Sequence, residues 1–201
     1  MKQKLILVCM LLLSSVAIAQ GRFDATIWGG LDMSQIDGDG AGHYQHLGFH
    51  AAINTTFALG KDEDSHWKML IELGYSQRGS HIDKVNMKIN LQYVEIPIMM
   101  TYRFGQFRIG AGIAPGLLVN ATVIESNVPN DIAANAYYKF DKLPVLAELN
   151  WCRKHWMVLA RIQTSMLPIS SNIPYKDSYR IFRSNKGEFS RSITIGVGYK
   201  F

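Results

Sequence analysis

Alternation with a period of two, not helical periodicity, organises this chain. From residue 189 to 201, Phe189, Arg191, Ile193, Ile195, Val197, Tyr199 and Phe201 share one face. Ser190, Ser192, Thr194, Gly196, Gly198 and Lys200 share the other. A period of two is the signature of a β-strand with unlike faces. The same split recurs at Trp67, Met69, Ile71, Leu73 and Tyr75, and again at Trp156, Val158, Ala160 and Ile162. In all there are about eight such segments, at roughly 22–36, 43–58, 67–79, 90–104, 106–120, 144–152, 156–169 and 189–201. No stretch carries a convincing 3.6-residue period. Segments of nine or more residues exceed the usual globular strand and suit a strand tilted across a bilayer.

Which face looks inward decides the class. A soluble barrel buries its apolar face, whereas a membrane barrel turns that face to lipid and keeps polar residues in the lumen. Aromatic residues gather near strand ends on the apolar face (Trp67, Tyr75, Tyr102, Trp151, Trp156, Tyr199, Phe201), as an interfacial girdle requires. The opposite face is rich in glycine and carries charges of both signs. Short links, "LGKDEDSH", "FGQ" and "RKH", alternate with mostly longer ones, notably 121–143 and 170–188. Outer-membrane barrels show that alternation, with short periplasmic turns and long outer loops. The pattern predicts an all-β chain: one eight-stranded antiparallel up-and-down transmembrane β-barrel over residues 20–201. Eight strands leave an interior that side chains largely fill.

The first residues change the compartment but not the fold. Lys2 and Lys4, the apolar run Leu5–Leu13 and Ala17-Ile18-Ala19 read as a cleavable export leader over 1–19. Net charge is +5, and without the leader +3 (19 basic against 16 acidic residues), too small an excess for a nucleic-acid footprint. Cys9 lies in the leader, so Cys152 alone remains and no internal disulfide can form. After export to the periplasm the destination is the outer membrane. The expected partners are its lipids and the machinery that assembles barrels there.

Candidate chemistry follows from the polar face. Asp24, Asp32, Glu72, Arg78, Glu95, Arg103, Arg108, Glu148 and Arg161 are assigned to the lumen as an ion-pair network, because buried charges persist only when paired. Within "NLQYVEIPIMMTYRFG" (90–105), Val94, Ile96, Ile98, Met100 and Tyr102 face lipid, while Tyr93, Glu95, Pro97, Met99, Thr101 and Arg103 face the lumen. Pro97 cannot donate to a ladder, so it calls for a bulge, a water or a local break. The link at 126–142 offers Tyr137, Tyr138 and Phe140 for recognition by the outer surface. His43, His46 and His50 lack recognised metal-ligand spacing, and neither a metal nor a cofactor is expected. Ser80, His81 and Asp83 could in principle assemble a hydrolytic site, but no elbow motif surrounds them. A non-enzymatic barrel is the reading favoured, with a small channel as alternative and a lipid-modifying enzyme behind it.

Three runs carry a family resemblance: "IELGYSQRGS" (71–80), "QYVEIPIMMTYRFG" (92–105) and "RIGAGIAPGLLVNA" (108–121). The Gly-Tyr-Ser-x-Arg-Gly strand end, the Tyr-x-Glu-Ile-Pro strand and the following Ala-Gly-x-x-Pro-Gly strand resemble the PorT-like outer-membrane β-barrel family of Bacteroidota. The terminal "GVGYKF" is similar to the signal read by the outer-membrane assembly machinery. The resemblance implies an outer-membrane barrel and, through one branch of the family, a link to a protein-secretion complex. It assigns no catalytic residue.

Overall fold

The computed structural model describes residues 23–40, 44–59, 65–82, 86–171 and 187–201. The leader assigned to 1–19 lies outside these residues, as do His43 and Asp83. The strands are β1 (Phe23–Asp37), β2 (His46–Ala58), β3 (Trp67–Ile82), β4 (Met87–Glu95), β5 (Ile98–Phe104), β6 (Phe107–Ile113), β7 (Gly116–Glu125), β8 (Val128–Pro129), β9 (Phe140–Asp141), β10 (Pro144–Arg153), β11 (Trp156–Ser165) and β12 (Phe189–Lys200). One short helix, α1 (Asp131–Ala134), lies in the link between β8 and β9, where Asn130 caps it by accepting from the Ala133 amide at 3.1 Å. The sequence pattern contained no helix, and four residues are too few to register a 3.6 period.

These strands make eight spans. β4 and β5 are one span interrupted at Ile96-Pro97, and β6 and β7 are another interrupted at Ala114-Pro115. Every adjacent pair is antiparallel, and β1 pairs both β2 and β12, closing the ring. β3 extends to Ile82, so Ser80 and His81 are strand residues and not loop residues. Beyond the start of β10, the outer half of the wall is completed by the link itself. Phe140–Asp141 pairs with β7, Tyr137 bridges to Ser170, and the Tyr138 amide donates to the Ile169 carbonyl at 2.8 Å.

The paired interruptions answer the proline question. Register is unbroken across them: Gly74 opposes Glu95 and Ile71 opposes Ile98 on one side, while Glu95 opposes Gly116 and Ile98 opposes Ile113 on the other. Pro97 still accepts from the Glu72 amide (2.9 Å), and Pro115 from the Ile96 amide (3.0 Å). Each proline keeps the carbonyl half of its rung and forfeits the amide half. The irregularity in this pair of spans lies elsewhere, between Gln92 and Tyr93, where Val119 is inserted opposite them.

Burial is inverted relative to a soluble barrel. Leu31, Ile53, Leu73 and Ile195 are 51–57% exposed, while Arg78, Arg161 and Glu72 are 1% exposed. Only a hydrocarbon surround makes that distribution favourable. Several outward aromatics gather at the turn end, where Trp67 packs at a tilt against Tyr102 (5.0 Å) and Trp156 meets Tyr199 edge-on (5.6 Å); Tyr75 lies instead toward the loop end, beside Phe49 (5.3 Å). At the loop end the outward face of β1 and β12 turns polar, and Gln35 and Arg191 both bond Asp37.

Candidate functional site

Most of the charged side chains that converge among the described residues do so in the lumen, which holds two ion-pair nodes. In the first, Arg161 of β11 donates to Glu148 of β10 (2.8 and 2.5 Å) and to both oxygens of Glu72 on β3 (2.8 and 3.1 Å). The flat guanidinium suits this double grip. It also lies 4.8 Å over the Trp28 ring, whose indole N–H donates to Glu72 at 2.8 Å. Asn54 donates to the same carboxylate at 3.2 Å, and His50 stacks on Trp28 with centroids 4.5 Å apart. Gly74 makes the space, since a Cβ there would meet His50 Nε2 at 3.0 Å.

The second node centres on Arg78 of β3 and Glu95 at the end of β4, which are in direct contact. Glu95 also accepts from Ser76 (3.2 Å) and Gln163 (3.1 Å). Asp32 and Asp141 each approach Arg78 to 4.0 Å, and the Tyr93 ring lies 5.5 Å from the guanidinium carbon. Asp32 accepts from Thr194 (3.3 Å) and Asp141 from Ser165 (2.5 Å). Gly116 keeps room for Glu95, because a Cβ there would lie 3.2 Å from the carboxylate side chain.

The structure therefore brings together Glu72, Glu148 and Arg161 in one node, and Asp32, Arg78 and Glu95 in the other. Asp24 stands apart at the turn-end mouth, bonded to Lys68 (3.0 Å) and Lys200 (2.9 Å). Arg108 is half-buried and reaches Thr56 Oγ1 (3.5 Å) and the Met157 sulfur (3.3 Å), not a carboxylate. Arg103 is outside the lumen. It is exposed at the tight turn after β5, where its Nε donates to the Gly105 carbonyl at 3.2 Å. A charged residue two positions before a two-residue turn is past the end of the enclosed wall, which strand parity alone does not reveal.

The aromatic link residues separate in the same way. Tyr137 is 6% exposed and packs with Ile36, Ile89, Leu91, Val123 and Ile169 in an apolar plug at the outer end of the lumen. Burial pushes its phenol pKa up, and the Glu188 carboxylate nearby adds to the effect. Phe140 is 58% exposed and lies opposite Leu117 on the outward face; Tyr138 is exposed one step further out. Ser80 is buried in the lumen while its neighbour His81 points to the other face, so the two cannot act on one substrate atom. No group of three or more His, Cys, Asp or Glu among the described residues could hold a metal ion.

Sequence reasoning missed Trp28, Asn54, Tyr93, Asp141 and Gln163 as node members. Four of them lie on lumen-facing strand positions, and alternation already puts Tyr93 on that face; what it leaves out is that uncharged side chains join the ion-pair nodes. Asp141 could not be found that way, because its strand is two residues long. The motif residues quoted above now have a common place. Ser76, Arg78, Tyr93, Glu95 and Gly116 all belong to the second node, and Pro97 and Pro115 frame it.

A family model described as outer membrane protein beta-barrel domain matches residues 18–201. Among solved structures, Ail, the attachment invasion locus protein of Yersinia pestis, is 14% identical with a TM-score of 0.51, covering 90% of this chain and 99% of its own. The same figures hold for Ail in complex with the heparin analogue sucrose octasulfate. Neisserial surface protein A is 13% identical, with a TM-score of 0.46 and coverage of 90% and 98%. No curated protein matches the chain in sequence.

Proposed function

Because this chain belongs to the outer membrane protein beta-barrel domain family, we propose that it is a closed-lumen barrel that anchors an outer surface in the outer membrane and transports nothing through its body. The observation that carries this reading is the packed lumen. Two hydrogen-bonded ion-pair nodes lie in it, the Tyr137 plug stands toward the outer end, and further apolar clusters around Trp28 and Leu70 fill the space beside them. Each node is a rigid cross-brace between strands far apart in the chain, such as β3 and β11 through Glu72 and Arg161. Such a body serves envelope integrity or presents its outer links for recognition.

The channel alternative makes an opposed prediction, so conductance decides between them. Purified protein added to a planar phospholipid bilayer in molar potassium chloride is expected to give no unitary steps. Regular, salt-dependent steps would overturn the closed-lumen reading.

The likeness to PorT-like barrels supports a second, narrower reading: membership in a secretion or envelope complex. Its basis is that the three shared motifs converge on a single structural node rather than scattering over the fold. Cross-linking in intact envelopes followed by affinity capture tests it, and recovery of the barrel alone would count against it.

A further inference from the structure

The two interfaces of the barrel differ chemically, and on one sector the difference points to a ligand. At the turn end the outward rows are aromatic. On the β3–β4–β7 sector the loop-end rows are amides. The last complete apolar outward row there is Tyr75, Val94 and Leu117, mutually opposed across the three strands, with the bulge residue Val119 also exposed just beyond it. One pleat further out stand Gln77, Gln92 and Asn120 in a single cross-strand row. The next outward row holds Asn90 opposite Thr122. Successive outward residues are about 6.6 Å apart along a strand, so the amide row sits where hydrocarbon gives way to headgroups.

Its bonding is incomplete. Gln77 donates to the Tyr75 hydroxyl (3.3 Å) and Asn120 to Thr122 (3.4 Å), and in the next row the buried Asn90 side-chain oxygen has no partner among the described residues. Gln92 makes no side-chain hydrogen bond to any described residue. Primary amides offer donors and an acceptor together without charge, which matches a dense array of sugar hydroxyls. A phosphate-reading surface would place Arg or Lys in this row, and the row has neither; Lys88 stands further out.

We infer that the Gln77–Gln92–Asn120 row binds the saccharide headgroup of a glycolipid in the outer leaflet. The occupant follows from continuity with the lipid-facing band, since whatever lipid coats Tyr75 and Leu117 must place its headgroup against these amides.

The test uses the full-length barrel in detergent, titrated separately with digalactosyl diacylglycerol (sugar without phosphate) and phosphatidylglycerol (charge without a saccharide). The midpoint of heat-modifiable gel migration is expected to rise by about 5 °C with the galactolipid and not with phosphatidylglycerol. The combined variant Gln77→Ala, Gln92→Ala, Asn120→Ala is expected to lose that rise while keeping its unliganded midpoint. Amide exchange on the wild-type barrel gives a readout independent of the variant: the galactolipid is expected to slow exchange in the outer parts of β3, β4 and β7. Equal protection by phosphatidylglycerol, a rise retained in the variant, or protection confined to the turn end would each overturn the inference.

Discussion

At the scale of single residues, the lumen shows how strongly context sets the worth of a charge. Arg161 and Arg103 are the same side chain on the same kind of strand. The first is 1% exposed and holds two carboxylates. The second is exposed and holds one backbone carbonyl. Removing Arg161 strands Glu72 and Glu148 in a site with little water, and breaking a buried pair by deleting one partner typically costs about 3–5 kcal/mol. Arg161→Met is expected to lower stability by that amount in urea unfolding followed by tryptophan fluorescence in micelles. Arg103→Ala is expected to change it by no more than about 0.5 kcal/mol. Comparable losses in both variants would mean that the node is not the brace described here.

At the scale of elements, the paired prolines interrupt two neighbouring spans without shifting their register. Pro97 leaves the Glu72 carbonyl without an amide donor from across the ladder, and Pro115 does the same to Ile96. Lipid cannot supply that donor. The carbonyl halves of both rungs are kept, and the Ala114 amide still bonds the Pro144 carbonyl, so the wall stays closed around a local defect. Pro97→Ala returns the donor at an already aligned position. Its new amide is expected to bond the Glu72 carbonyl and to exchange as slowly as its strand neighbours when followed by hydrogen exchange. The net stability change is expected to stay within about 1 kcal/mol, because the regained rung is offset by greater freedom of the unfolded chain. A fast-exchanging amide at position 97 would show that the strands are held apart there.

At the scale of the whole molecule, the fold was legible because a barrel in lipid has one repeating rule, and each span states it afresh. Lengths, span number and the facing of Val94, Ile96, Glu95 and Pro97 all follow from alternation. What alternation cannot supply is depth. Arg103 has lumen parity but lies past the wall, and Tyr137 belongs to a link that turns back to plug the lumen. Nor does parity give partners: that Arg78 and not Arg161 meets Glu95 depends on stagger around the ring. The central claim is that the apolar face meets lipid and the charged face is enclosed, and the four tryptophans divide across it. Trp67, Trp151 and Trp156 are 51%, 37% and 63% exposed on the outer face, and Trp28 is 3% exposed against Arg161. Single-tryptophan versions reconstituted in vesicles of brominated phospholipid report this directly. Quenching by the lipid bromines is expected for Trp67, Trp151 and Trp156 and not for Trp28; strong quenching of Trp28 with the other three unaffected would contradict the inside-out barrel.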